Sequence, residues 1–172
     1  DYRKNGNIVV RMVMAASFAS VLLKPLGALP FFVHLWGDTE TGKSVALLAA
    51  VSVWAEPVIG KYAYTFNSTD VGNELYAACL NSLPLCMDEL QILNKRSDFD
   101  DIIYRLCEGT GRLRGKKDGG IQNIKTWRNC IITTGERPIT SMSSGGGAVN
   151  RVIEIECNGG KFFKNPREFC RT

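Results

Sequence analysis

Eight residues early in the chain have the types and spacing of a phosphate-binding loop. Residues 37–44 read Gly-Asp-Thr-Glu-Thr-Gly-Lys-Ser, which fits the P-loop pattern G-x-x-x-x-G-K-[ST]. Glycines let the backbone wrap a polyphosphate, and the helix that follows adds partial positive charge. Lys43 would reach the β- and γ-phosphates, and Ser44 would ligate Mg²⁺. The candidate nucleotide-binding residues are Gly37, Asp38, Thr39, Glu40, Thr41, Gly42, Lys43 and Ser44.

A pair of acidic residues ends an apolar stretch further along the chain. Asp88 and Glu89 directly follow residues 83–87, Leu-Pro-Leu-Cys-Met, which are typical of a buried parallel strand. In a chain with a phosphate-binding loop upstream, such a pair of acidic residues predicts hydrolysis of the bound nucleotide. Asp88 would hold the Mg²⁺ shell beside Ser44, and Glu89 would orient and polarise the attacking water. The alternative is an exposed acidic turn, which the loop upstream makes the weaker interpretation.

A polar strand end is the third candidate. Residues 129–133 are predicted to form a strand that leads into Thr134. In P-loop ATPases with this acidic pair, the neighbouring strand ends in a polar residue that touches the γ-phosphate or the water. Thr134 is the first choice for that residue and Thr133 the second, while the alternative is a strand that simply reaches solvent. Glu136 lies close to the same edge without an assigned role.

One arginine is a candidate for completing a neighbouring site. Arg151 precedes the apolar, alternating residues of the last predicted strand, and from there it could project into the ATP site of another subunit. It would then stabilise charge on the transferring phosphoryl group. A surface ion pair with Glu154 or Glu156 is an equally weighted alternative. Arg137 is the rival candidate for the same role.

A basic segment carries the positive charge of the chain. Residues 112–128 hold six basic residues against one acidic residue, so the remainder of this chain of net charge +4 is slightly negative. A glycine-rich tip between two short β-prone arms predicts a hairpin over residues 112–126. Its cations suit sequence-independent, salt-sensitive contact with nucleic-acid phosphates, and the alternative is a solvated loop. The candidate nucleic-acid-binding residues are Arg112, Arg114, Lys116 and Lys117.

The elements that must position these residues alternate along the chain. Strand and helix patterns succeed one another, which predicts an α/β, three-layer P-loop domain with a mainly parallel sheet. A helical lead-in occupies residues 1–27. The predicted helices are at about 7–23, at 43–54, from N-cap candidates at residues 67–70 to about residue 80, and at 97–109. The predicted strands are at about 31–36, 61–66, 83–87, 129–133 and 149–155.

The length and composition of the chain limit its number of domains, its compartment and the presence of a zinc site or a membrane span. A chain of 172 residues is large enough for one domain, and it starts at Asp1 without methionine, so we expect a fragment of a longer protein. Six cysteines without a C-x-x-C pair, beside a single histidine, favour reduced thiols of a cytoplasmic protein over a zinc site. The apolar residues 12–23 are too few to span a membrane.

In this order the motifs resemble a known family. The residues that carry the resemblance run from Phe31 to Ile155, and they include the P-loop, Leu85 to Leu90, Thr133 to Glu136 and Arg151 to Ile153. They resemble the uncharacterised ATPase domain in helicase-like proteins of phages, plasmids and chromosomal cassettes, which is often joined to primase-type regions. That domain is similar to ring ATPases with a hairpin before the polar-sensor strand, such as superfamily-three viral helicases and minichromosome maintenance helicases.

The resemblance implies a functional assembly. It implies homo-oligomeric rings, hexameric in the full-length protein, that move single-stranded or duplex DNA through a central pore. It also implies pore contacts from Lys116 and Lys117 and an arginine finger at Arg151. One departure from that group is that no C-terminal helical lid with a second sensor arginine is recognisable in the sequence, either because the fragment stops short or because this group lacks one.

The leading interpretation is therefore an ATP- and Mg²⁺-dependent DNA helicase or translocase motor that serves a mobile element. A small-molecule kinase is an alternative, although the Asp88-Glu89 pair favours water as the acceptor. A GTP switch is weaker, because residues 94–98, Asn-Lys-Arg-Ser-Asp, place the acid one residue too late. A non-catalytic nucleotide-binding module is the fourth alternative.

Overall fold

The computed structural model describes residues 8–66, 69–89, 96–116, 118–140 and 146–158. Helices and strands alternate over these ranges. In chain order they are α1 (Ile8–Leu23), β1 (Phe31–Trp36), α2 (Lys43–Val51), β2 (Tyr64–Thr65), α3 (Asp70–Leu80), β3 (Leu85–Asp88), α4 (Arg96–Glu108), β4 (Cys130–Gly135), α5 (Gly146–Val149) and β5 (Val152–Glu156). Within the same ranges, no helix combines the length and apolar character that a membrane crossing requires.

The strands of the described chain form one parallel sheet in the order β2-β3-β4-β1-β5. This confirms the predicted α/β architecture. β4 lies between β1 and β3, so that Trp36 pairs with Gly135 and Thr133 pairs with Met87. Because parallel strands end on the same side, Trp36, Asp88 and Gly135 mark one edge of the sheet. We call it the P-loop edge.

Hydrophobic residues cover both faces of the sheet. Val33, Cys86 and Ile132 pack with α1 and α2 on one face. Phe32, Leu85 and Ile131 pack with α3 and α4 on the other. Neighbouring residues of one strand thus enter different cores, as the two-residue period of a strand requires. The result is the three-layer arrangement that holds the strand ends in place.

The element boundaries differ from the predictions at several points. β2 keeps only two residues of the predicted 61–66, because residues 58–61 form a turn in which Lys61 N–H donates to Val58 O at 3.2 Å. α2 ends at Val51 rather than near Trp54. α3 begins as expected after a polar residue, since the Thr69 hydroxyl accepts the Gly72 N–H at 3.2 Å.

Candidate functional site

The P-loop occupies the turn between β1 and α2. Gly37 and Gly42 have φ angles of 138° and 100°, and Glu40 has a φ of 60°. Such left-handed backbone favours glycine, so the two glycines of the motif sit where the chain needs them. Gly42 is the N-cap of α2 and has no side chain that could cover the first helical turn. The N-terminus of α2 therefore presents its N–H groups towards the loop.

The ammonium group of Lys43 lies against the backbone of its own loop. Lys43 Nζ donates to the carbonyl oxygens of Gly37 and Asp38, at 2.8 and 2.5 Å. The Thr41 hydroxyl also donates to Asp38 O, at 3.1 Å. These contacts place the positive charge at the mouth of the loop, where phosphate oxygens could replace the carbonyl groups as its partners.

A chain of hydrogen bonds joins the start of α2 to the ends of β3 and β4 at the P-loop edge. The Ser44 hydroxyl donates to Asp88 Oδ1 at 3.0 Å, and the Thr134 hydroxyl donates to the same oxygen. Thr134 Oγ1 in turn accepts the Glu89 N–H at 3.1 Å. Asp88 and Thr134 are 4% and 2% exposed. The structure thus brings together four of the predicted site residues from three separate parts of the chain.

Glu89 stands out in this chain of contacts by its backbone conformation. Its φ is 56°, which is unfavourable for a residue with a long side chain. The side chain is exposed, whereas the preceding Asp88 is buried. The turn to left-handed backbone therefore separates a buried carboxylate from an exposed one at adjacent positions.

The two threonines that end β4 have different partners. Thr134 contacts Asp88, whereas the Thr133 hydroxyl lies 2.8 Å from His34 Nδ1 inside the sheet. His34 Nε2 lies 2.9 Å from Arg137 O, and a carbonyl only accepts, so Nε2 carries the proton and Nδ1 accepts from Thr133. Burial lowers the pKa of His34, and the Lys43 charge adds to this, against the opposing effects of Arg137 O and Glu154.

A carboxylate on β5 holds the segment that follows β4. Glu154 Oε1 accepts the N–H groups of Ile139 and Thr140 at 2.7 and 2.9 Å. Its Oε2 accepts the Thr140 hydroxyl at 2.7 Å. Together with His34, Glu154 therefore fixes the course of residues 137–140. Because both oxygens of Glu154 are engaged in these contacts, Glu154 is unsuited to a surface ion pair with Arg151, which was one of the alternatives for that arginine.

The two finger candidates lie at opposite edges of the sheet. Arg137 follows β4 beyond the P-loop edge. Arg151 precedes β5, whose first residue pairs with Phe32, so it lies at the other edge, about 13 Å of strand from Trp36. Its guanidinium is over the Tyr104 ring, 5.6 Å from the centroid. Arg151 is therefore placed away from the P-loop of its own chain.

Asn158 is a site residue that the sequence reasoning missed. Its Oδ1 accepts the Asp38 N–H at 2.8 Å, and its Nδ2 donates to Glu156 Oε1 at 2.9 Å. A Cβ added at Gly37 would overlap Asn158 Oδ1. Asn158 thus packs directly against the first residues of the P-loop. Its only sequence signal was its position just after a strand, and the strand order was needed to interpret it.

The predicted basic hairpin takes a less regular form. Residues 109–127, which we call the basic loop, fold back through isolated antiparallel bridges between Thr110 and Thr126 and between Gly115 and Ile121. The described part of the basic loop contains no strand, so the two β-arms expected over residues 112–126 are not formed. The glycines at 115, 119 and 120 lie at the tip between the arms and weaken strand pairing next to it.

The cations of the basic loop do not all face solvent. Arg114 Nη2 lies 3.0 Å from Oε2 of Glu74, a buried residue of α3. Arg112 and Lys116 are exposed. The pKa of Asp70 is lowered, first by a hydrogen bond from Arg105 and then by the charges of Arg105 and Arg112. Lys117 lies outside the described residues. The predicted set therefore includes one arginine that is already paired.

The donor set at the P-loop edge suits a hard cation. The Ser44 hydroxyl and the Asp88 carboxylate supply oxygen atoms, which Mg²⁺ prefers, usually with phosphate oxygens and water in its remaining positions. The described ranges hold no group of three or more His, Cys, Asp or Glu residues that could bind a metal by themselves. Any cation at this edge would therefore depend on Ser44, Asp88 and a bound phosphate.

Comparison with known proteins agrees with this fold. A solved structure described as "SCCmec type IV Cch - active helicase" superposes with a TM-score of 0.72 at 24% identity, covering 94% of this chain and 30% of that one. The chain thus spans about a third of the length of that structure. No curated protein matches this chain. The family model described as "Domain of unknown function (DUF927)" matches residues 2–126, and the chain belongs to this family.

Proposed function

We propose that the chain is the ATP-hydrolysing core of a DNA helicase or translocase that serves a mobile genetic element. The observation that carries this proposal is the hydrogen-bonded chain from Ser44 through Asp88 and Thr134 to the Glu89 amide. It unites a phosphate-binding loop, a buried carboxylate and an exposed carboxylate at one sheet edge. A protein that only bound phosphate would have no need of the strained second carboxylate.

The chemistry assigned to these residues is hydrolysis of the terminal phosphoanhydride bond. Loop N–H groups and Lys43 bind the β- and γ-phosphates, and Lys43 exchanges its two carbonyl partners for phosphate oxygens. Glu89 orients a water whose oxygen attacks the γ-phosphorus while the bond to the bridging oxygen breaks. Thr134 fixes the Glu89 backbone, and so the direction from which this carboxylate approaches.

Mg²⁺ fits the same edge. Ser44 and Asp88 would hold it, and the ion would supply charge neutralisation on the phosphate oxygens. The hydroxyl of Ser44 already lies 3.0 Å from Asp88 Oδ1, so both ligands come from positions that the fold brings into contact. The Thr134 hydroxyl also donates to Asp88 Oδ1 and so would fix the orientation of that carboxylate towards the ion.

The proposal extends to a ring of subunits. Arg151 lies too far from the P-loop of its own chain, so as an arginine finger it would serve a neighbouring subunit. The exposed Arg112 and Lys116 of the basic loop would contact DNA phosphates. The helicase of similar fold is a longer chain, of which this one covers 30%, and this supports a motor core within a larger protein.

ATP hydrolysis measured against protein concentration, with and without single-stranded DNA, tests the proposal. We expect specific activity to rise with concentration and with DNA, since the site is shared between subunits. Glu89→Gln should bind ATP and lose turnover. Glu56→Gln is the matched control, because Glu56 pairs with Lys61 on the surface. A flat, DNA-independent rate, or full turnover by Glu89→Gln, would contradict the proposal and favour a kinase or a nucleotide-binding module.

A further inference from the structure

A cleft separates α3 from the basic loop. We call it the α3 cleft, and it encloses about 170 Å³, far above the roughly 10–15 Å³ that one water needs. It therefore has room for an organic group. The residues of its lining that matter here are Val71 and Leu75 of α3 and Arg112, Gln122, Asn123 and Lys125 of the basic loop.

The charges around the cleft are unbalanced. Glu74, a buried carboxylate in the lining, is engaged by Arg114 at 3.0 Å, and Asp70 is engaged by Arg105. Among the described residues, this leaves Arg112 and Lys125 as the surplus positive charge of the lining. Both are exposed. A cleft with two available cations attracts an anion, for which Arg and Lys are the usual partners.

The missing side chain of Gly111 keeps the space between α3 and Lys125 open. Gly111 N–H donates to Lys125 O at 2.8 Å, so Lys125 lies directly across the fold-back from Gly111. A Cβ at Gly111 would lie 3.4 Å from Glu74 Oε2 and 3.6 Å from Lys125 Cβ. A larger side chain at this position would therefore occupy the cleft between α3 and Lys125.

The other walls suit a nucleobase. Val71 and Leu75 are 41% and 45% exposed, and they offer an apolar surface to a flat ring. Asn123 adds a carboxamide, which donates and accepts hydrogen bonds at a base edge. Gln122 adds a carbonyl oxygen and one N–H, while its Nε2 donates the other N–H to Gly115 O at 3.2 Å. Phosphate-binding cations, an apolar wall and carboxamides in one cleft are the combination that a nucleotide unit of a single strand requires.

We infer that the α3 cleft seats one nucleotide of a single DNA strand, with Arg112 and Lys125, rather than Arg114, on the phosphates. This rests on the proposed function, which supplies the strand. Lys125 thereby joins the nucleic-acid surface, and Arg114 becomes the residue that holds the basic loop on α3. Arg112 and Lys125 are exposed, and so is Lys116 further along the same loop, which favours a strand over a free nucleotide.

Anisotropy of a labelled oligodeoxythymidylate, titrated at several salt concentrations, tests the inference. Arg112→Ala and Lys125→Ala should each weaken binding and reduce the slope of log K against log salt by about 0.7, the value for one phosphate contact on a single strand. Gly111→Leu, which fills the cleft without removing charge, should also weaken binding. Lys24→Ala, at an exposed lysine after α1, should leave both affinity and slope unchanged.

Three outcomes would overturn the inference. Wild-type affinity and slope in both Arg112→Ala and Lys125→Ala would exclude the cleft, and so would a wild-type protein that binds no oligonucleotide. Displacement of the oligonucleotide by thymidine monophosphate at equal concentration would show a free-nucleotide site instead. ATP hydrolysis by the wild-type protein is measured separately, so an active ATPase with an unused cleft leaves the proposed hydrolysis standing.

Discussion

The Thr134 hydroxyl donates to Asp88 Oδ1 although the two residues lie 46 positions apart in the chain. Thr134 also accepts the Glu89 N–H, so Thr134→Val would remove both contacts with little change of shape. We expect the free energy of unfolding to fall by about 1–3 kcal/mol, because a buried carboxylate and an amide lose a partner. Urea denaturation measures this. Thr65→Val, at an exposed strand position, should change stability little, and equal losses in the two variants would contradict the assignment.

The left-handed backbone at Glu89 predicts a conflict between stability and turnover. Asparagine adopts this conformation more readily than glutamate, so Glu89→Asn should raise the free energy of unfolding by up to about 1 kcal/mol and abolish ATP hydrolysis. Glu89→Gln should abolish hydrolysis without stabilising the fold. Denaturation and hydrolysis assays on the two variants separate these effects. A Glu89→Asn variant less stable than Glu89→Gln would show that the backbone turn is not strained.

The contact between Gly37 and Asn158 predicts a site-specific cost of adding one methyl group. Gly37→Ala should destabilise the protein and weaken ATP binding, since its Cβ overlaps Asn158 Oδ1. Gly60→Ala is the matched control, because Gly60 also has a positive φ, 96°, but meets nothing within 4 Å. It should show only backbone strain, about 1–2 kcal/mol. Equal losses in urea denaturation would mean that Asn158 does not limit this position.

The buried His34 predicts an acid-sensitive fold. Its pKa is lowered in the folded protein, chiefly by burial, whereas in the unfolded chain it is about 6.5. Protons then bind preferentially to the unfolded state below this pH, so the contribution of His34 to the free energy of unfolding should be level above about pH 6.5 and fall below it, by at most about 1.4 kcal/mol per pH unit. His34→Gln should flatten that part of the profile. An unchanged slope would exclude His34 as its source.

The sequence predicted those features that depend on local pattern. Alternating apolar stretches indicated the parallel sheet, and the P-loop and the Asp88-Glu89 pair were recognisable because each lies within a few consecutive residues. The expectation that the strand leading to Thr134 neighbours the acidic strand is confirmed by the strand order. Such features need only the period of a strand and the direction shared by parallel neighbours.

The features that sequence reasoning missed are long-range side-chain contacts. Arg114 and Glu74 lie 40 positions apart, and Asp38 and Asn158 lie 120 positions apart, so no local pattern joins them. The β-prone arms of the basic loop were expected to pair as strands, but the glycines of the tip between them and solvent exposure leave only isolated bridges in the described residues. Which of these polar side chains come into contact depends on how α3 and the sheet pack, and not on the composition of the chain.

Because Arg151 lies at the sheet edge opposite to its own P-loop, a mixture of two inactive variants can be active. If Arg151 completes a neighbour's site, two separately inactive proteins, Lys43→Ala and Arg151→Ala, should restore activity when mixed. Some junctions would then pair an intact P-loop with an intact arginine. Complementation of this kind would mean that each ATP site needs residues from two subunits. A subunit that cannot hydrolyse ATP itself would then still supply the arginine to its neighbour's site.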